Sequence, residues 1–288
     1  MLEFKQQTGI ELEIGESPLW DPERSLLWFV DSTSPAIYAL TPSSGHLSHW
    51  KMPAPVGSVG LATQGRLVVA LKTGVHLFDS AAGHLTFLVN PEPDRPMNRL
   101  NDGKVGPDGC FWVGSMHDAI PRQPTAALYR VTPSGEYTRV LDGLRNSNGL
   151  AWSPDGRTLY HADTRAPSVC AYDFDKATGG ISNRRLLATP GEHEGLPDGA
   201  AVDVEGYYWS AGITAGRLNR IAPSGGIAES YEVPVPAPTM PCFGGSAMRT
   251  LYLTSLTSSI DGRCVPGTLH ACAMPVAGVP PYTFGTVN

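Results

Sequence analysis

The sequence contains no block of Lys or Arg, no pair of cysteines spaced C-x-x-C, and no apolar run near the ~20 residues that cross a bilayer. With 21 Lys and Arg against 27 Asp and Glu, its formal charge is −6. That balance repels polyphosphates and anionic lipid surfaces, so neither nucleic acid nor a membrane is expected as a partner. The start, Met1 to Gln7, has no apolar core of a secretion signal, and a cytoplasmic location is the matching expectation. The five cysteines (Cys110, Cys170, Cys242, Cys264, Cys272) are odd in number and scattered, which fits a reduced protein with small buried thiols. There is no G-x-S-x-G elbow, no H-E-x-x-H pair and no glycine-rich phosphate loop. Gly191-Glu192-His193-Glu194-Gly195 looks like a metal cluster, but its flanking glycines make it a solvated loop.

What the chain does have is a repeat. Arg99-Leu100-Asn101-Asp102-Gly103-Lys104-Val105 leads through a short turn into the apolar strand Cys110-Phe111-Trp112-Val113-Gly114. Ser147-Asn148-Gly149 before Thr158-Leu159-Tyr160 and Pro197-Asp198-Gly199 before Tyr207-Tyr208-Trp209 repeat the pattern clearly. Gly15-Glu16-Ser17, Ser58-Val59-Gly60 and Phe243-Gly244-Gly245 repeat it more weakly. Anchors at 16, 59, 101, 148, 198 and 244 are separated by 43, 42, 47, 50 and 46 residues. A period in this range marks propeller blades, and six copies predict an all-β, six-bladed β-propeller. The repeat fills the chain without a break, so residues 1–288 are expected to form one domain.

Within each repeat a strand and a Gly-containing hairpin turn follow, as at Ala36 to Leu40 before Gly45 and Leu128 to Val131 before Gly135. A closed ring must pair its two chain ends, so Glu3 to Glu13 is expected beside Thr268 to Cys272 in the last blade. Two connections, Met116 to Thr125 and Ser255 to Gly267, exceed what a hairpin needs and are either functional or mobile surface loops.

In a propeller the innermost strands all begin at one end of the channel, so the anchor residues converge on the axis. Glu16, Asn101, Asn148 and Asp198 are the polar ones. Two carboxylates and two amides form an all-oxygen set suited to a hard divalent cation. The competing reading makes Asn148-Gly149 and Asp198-Gly199 ordinary turns, but it does not explain a shared register in several blades. For Arg99, spacing alone leaves a surface ion pair and a ligand contact equally open.

Gly15-Glu16-Ser17-Pro18-Leu19-Trp20-Asp21, the segment from Arg99 to Val105, Ser147 to Ser153, and Leu196-Pro197-Asp198-Gly199 together resemble the signatures of the regucalcin/gluconolactonase family, in order and across essentially the whole chain. The resemblance implies that Glu16, Asn148 and Asp198 hold a metal. It also implies that Arg99 and Asn101 contact substrate and that Asp198 doubles as the base activating water. The sequence departs from relatives such as regucalcin after Met116: His117, Asp118 and Ala119 stand where an acidic pair is expected, and Asp118 is the expected replacement for the sugar contact.

The function these readings support is ring opening of a sugar lactone by a monomer or weak homo-oligomer carrying one divalent cation. Oxygen ligands favour Ca²⁺, Mg²⁺ or Mn²⁺, and Zn²⁺ also occupies such sites. Two rivals are a phosphotriester hydrolase on the same groups and a calcium-binding regulatory propeller without turnover.

Overall fold

The computed structural model describes residues 2–286 of the chain. Apart from one 3₁₀ turn at Thr63–Gly65, its regular elements are all strands. They form six antiparallel blades around one axis. Blade one comprises Gly15–Asp21, Leu26–Asp31, Ala36–Thr41 and His46–Lys51. Blade two begins at Val56–Ala62, blade three at Asn98–Val105 and blade four at Ser147–Trp152. Blade five begins at Pro197–Val202 and blade six at Pro238–Gly244. No helix among the described residues is long and apolar enough to cross a membrane.

Every blade is buried on both faces, and the alternation of side chains along each strand explains how. In Leu26–Asp31, Trp28 and Val30 pack against Val56, Val69 and Phe78 of blade two. Their neighbours Leu27 and Phe29 point the opposite way, onto Tyr252 and Leu269 of blade six. Near-continuous apolar strands are what two-sided burial demands. The six apolar clusters each fill one junction between adjacent blades. Full burial of each such side chain stabilises by about 1.5–3 kcal/mol. A polar device recurs at the outer turns. The indole N–H groups of Trp112 and Trp209 donate to Asp108 and Asp203, whose carboxylates also pair with Arg130 and Arg220.

The ring closes as expected at the N-terminus. Lys5–Gln6 pairs antiparallel with Leu269–Ala273, with Lys5 opposite Ala271, and Leu12 is buried beneath. A second closure has no signal in the blade pattern. The C-terminal segment crosses the far end of the channel, donating from Val279 N to Val202 O at 2.9 Å. Thr283–Phe284 then adds a parallel strand to blade two.

Three expectations need correction. The break in blade six's opening strand falls at Thr239, between Pro238 and Met240, whereas Gly244 pairs with Thr250 at that strand's other end. In blade two the break falls at Gly57, between Val56 and Ser58, not at Val59. All five cysteines are free, but only Cys110, Cys170 and Cys272 are buried. Cys242 is half-buried and Cys264 exposed.

Candidate metal and substrate site

The opening strands of blades one, three, four and five share a local irregularity. Their pairing slips between Glu16 and Leu19, Leu100 and Gly103, Asn148 and Ala151, and Pro197 and Ala200. Each slip is a bulge that re-aims the side chain at the strand's start, a common use of bulges beside functional sites. Asn148-Gly149 is therefore inside a strand and not in a hairpin turn. Gly149 adopts φ +64°, and a Cβ there would meet the Tyr208 hydroxyl at 2.2 Å. The backbone needs a glycine to make the bulge this close to blade five.

Hydrogen bonds tie these openings to one another around the axis. Thr239 Oγ1 donates to Gly15 O, and Val59 N donates to Ser17 Oγ at 2.9 Å. Ser58 Oγ donates to Asn101 O at 2.8 Å. From blade three to four, Asn101 Nδ2 reaches Ser147 O at 3.0 Å and Asn148 Oδ1 at 2.8 Å. From blade four to five, Asn148 Nδ2 donates to Asp198 Oδ1 at 2.5 Å, and Thr164 Oγ1 to Pro197 O at 2.7 Å. Blades two and six thus contribute linking hydroxyls where the other blades contribute carboxylates or amides, which is why their copies of the motif are weak.

Five of the six sequence-selected residues lie on one continuous chain of contacts. Arg99, buried, donates from Nε to Asp118 Oδ1 at 3.1 Å and from Nη1 to Asn101 Oδ1 at 3.3 Å. Asn101 continues to Asn148, and Asn148 to Asp198. Asp118 is shared with Lys72, whose Nζ lies 3.1 Å from Oδ2. Burial works against the ionised form of Asp118, but Lys72 and Arg99 together hold its carboxyl below the usual range. Glu16 stands apart from the chain, its Oε2 meeting only its neighbour's backbone, Ser17 N at 3.4 Å. It is joined to Asp198 through charge.

Burial raises both carboxyls, and proximity adds to the effect. Glu16 is pushed well above the ordinary carboxylate range by desolvation, then by Asp198 and Asp102. Asp198 is raised by desolvation and by Asp102, with Arg165 and Arg99 opposing. Two like charges partly withdrawn from water are costly, and a divalent ion is the direct remedy. The donor set fits such an ion: Glu16 and Asp198 supply carboxylate oxygens, and a half-turn of the Asn148 amide presents Oδ1 in place of Nδ2. Among the described residues there is no cluster of three or more His, Cys, Asp or Glu side chains arranged for a metal, so this set depends on its amide.

Several participants carry no signal of their own in the sequence. Asp102 lies inside the best motif, accepts from Leu150 N at 3.1 Å through Oδ2, and leaves a buried Oδ1 without a partner. Half-buried Lys104 donates to Ala200 O at 2.7 Å, and its charge offsets that of Asp102. Thr164 and Thr239 are common residues whose role emerges only from the ring geometry. His117 is buried with Nδ1 3.1 Å from Ala119 O. His193 is on the exposed loop expected for it, beside Glu194.

The model of the SMP-30/gluconolactonase/LRE-like region matches residues 14–257. Regucalcin of Xenopus laevis is 35% identical over 254 residues, covering 86% of this chain and 85% of its own. The 6-deoxy-6-sulfogluconolactonase of Pseudomonas putida is 36% identical over 244 residues, covering 84% and 83%. Among solved structures, a calcium-binding regucalcin from Agrobacterium tumefaciens superposes with a TM-score of 0.91 at 25% identity, covering 99% and 98%. A family match over residues 14–257, a span that contains all four segments building this axis, leads to one conclusion: the chain belongs to the SMP-30/gluconolactonase/LRE-like family.

Proposed function

We propose that this protein hydrolyses sugar lactones at the axial site with the help of one divalent cation held by Glu16, Asn148 and Asp198. The observation that carries the reading is the approach of the half-buried Glu16 carboxyl to the buried Asp198 carboxyl, close enough to act on it by charge, with the Asn148 amide hydrogen-bonded to Asp198. Family membership adds support, since it includes a named sulfogluconolactonase as well as regucalcins. The calcium-binding relative makes Ca²⁺ the first ion to test, with Mg²⁺, Mn²⁺ and Zn²⁺ behind it.

When bound, the cation polarises the lactone carbonyl and makes a coordinated water more acidic. The chain's own residues supply the rest. Asp198 accepts a proton from the attacking water as general base. Water adds to the carbonyl carbon, the ring C–O bond breaks, and the proton passes to the departing ring oxygen to give the open hydroxy acid. Arg99, with five fixed donors, and Asn101 hold the hydroxyls of the substrate. Asp118 keeps Arg99 in place from the other side. No covalent intermediate is required.

The test is a pH-stat assay on aldonolactones and a phosphotriester, each with and without chelator. Chelator-sensitive acid release from the lactones supports the reading. Turnover of the phosphotriester alone favours the phosphoryl alternative, and bound calcium without turnover of either favours a regulatory propeller.

A further inference from the structure

The end of the channel where the opening strands begin is also where the connections between second and third strands emerge. Blades three and four place arginines there. Arg122 lies in the connection after Phe111–His117, and Arg165 in the connection after Thr158–Asp163. Arg145 sits where blade three passes into blade four. Arg145 Nη1 donates to Arg122 O at 2.7 Å, and Arg122 Nη1 donates to His117 O, so the arginines are pinned to the same loop that carries Asp118.

None of Arg122, Arg145 and Arg165 has a carboxylate within ion-pair distance among the described residues, although most other arginines of the protein do. The acids of this sector are already engaged: Asp118 is shared by Arg99 and Lys72, and Asp163 accepts from the backbone N–H groups of Arg145, Asn146 and Arg165. Burial, then the neighbouring charges of Arg165 and Arg99, disfavour the charged form of Arg122. A protein of formal charge −6 thus concentrates unneutralised guanidinium groups on one side of its channel mouth. Pinning to carbonyls occupies one N–H each and leaves the other donors of each fork free. Guanidinium groups with free paired donors and no internal partner are suited to a phosphate, sulfonate or carboxylate.

We propose that the lactone taken by this site carries an anionic group at the end remote from its carbonyl, and that Arg122 and Arg165 bind that group. This rests on the lactonase reading for the chemistry at the floor, while the anion site itself stands on the rim. The carbonyl would sit at the cation that Glu16, Asn148 and Asp198 hold in that reading, the hydroxyls at Arg99 and Asn101, and the remote charge at the arginines of blades three and four. The cation-rich mouth also raises the local concentration of anionic substrate and speeds its encounter.

The experiment compares the metal-loaded enzyme on glucono-δ-lactone, its 6-phosphorylated counterpart and a glucaric acid lactone. In parallel, isothermal titration measures 6-phosphogluconate against gluconate. The kcat/KM ratio of phosphorylated to neutral lactone is expected to be about 10–100, the span of a charge-assisted pair of hydrogen bonds. Arg165→Gln, whose exposed side chain makes no hydrogen bond among the described residues, should bring the ratio down at least several-fold. Arg122→Gln should lower it further, and Arg165→Lys should keep part of it. A glucaric lactone preferred over the phosphorylated one would identify the anion as a carboxylate. A ratio near one that neither arginine changes overturns the anion site while leaving the lactonase intact. Arginine-dependent preference for 6-phosphogluconate with no lactone hydrolysed upholds the anion site and rejects the lactonase.

Discussion

Asn101 on blade three and Asn148 on blade four meet at 2.8 Å, Nδ2 to Oδ1, across the junction of their blades. In this arrangement one bond joins the proposed substrate side of the site, Arg99 and Asp118, to the proposed ligand side, Asn148 and Asp198. A change in either residue is felt by both, and the predictions below separate the two sides.

Glu16→Gln tests the ligand side. Glu16 is held well above the usual carboxylate range by burial and by Asp198 and Asp102. A carboxyl raised on folding contributes stability at low pH that is lost as pH climbs. Removing it should lower cation affinity by at least about tenfold, since even indirect supports of a ligand are worth that much. At about pH 8 the cation-free variant should melt no lower than the cation-free parent. Elemental analysis and differential scanning calorimetry read the two effects. Unchanged metal content after alanine substitution at Glu16, Asn148 and Asp198 in turn would remove the assignment.

Arg99→Ala tests the substrate side. Arg99 touches Asp118 and Asn101 but no proposed ligand directly. The variant should raise KM by about tenfold or more, the worth of a hydrogen bond to a charged group. Its metal content should equal the parent's. Loss of metal together with activity would place Arg99 among the supports of the ion.

The blade closure is testable by truncation. Removing residues 2–13 exposes the edge of Leu269–Ala273 and takes away buried Leu12. The single change Leu12→Ala alone should cost about 2–5 kcal/mol. For a domain of this size each kcal/mol lowers Tm by about 2–4 °C. A truncated protein with the parent's Tm would show that the ring closes without this strand.

His161 predicts an acid limit. Burial pushes its imidazole from an ordinary 6.5 down to about 4, and its Nε2 lies 2.8 Å from Ser147 Oγ. A His kept neutral by folding gives stability that is complete above about pH 6.5 and lost as pH falls toward about 4, because the unfolded chain takes up the proton first. Tm should fall across that window, and His161→Gln should flatten the fall. An equally steep fall in the variant would assign it to other groups.

The sequence displayed the fold through its period and displayed part of the site through chemistry that only some blades need. Asn148 and Asp198 stand out as an amide and a carboxylate before glycine at the start of a buried strand, and Glu16 and Asn101 by sharing their register in the repeat. Thr239 and Ser58 do comparable linking work with hydroxyls that look like any surface residue, so the blade-six copy of the motif falls on Gly244, at the far end of that strand and five residues beyond its break. Arg122 and Arg165 lie in connections whose lengths differ from blade to blade, so no repeat marks them. The C-terminal crossing reads as a Pro-rich tail until Val202 and Leu61 are seen to receive it.

The most direct test of the account is kcat for Asp198→Asn loaded with the cation that restores the parent. The amide keeps an oxygen for the ion and the hydrogen-bonding place beside Asn148, but it cannot accept the proton of water. The account predicts bound metal with kcat lower by about 10²–10⁴-fold, the range for loss of a general base. Full kcat in the metal-loaded variant would contradict it and make Asp118 the next base to examine.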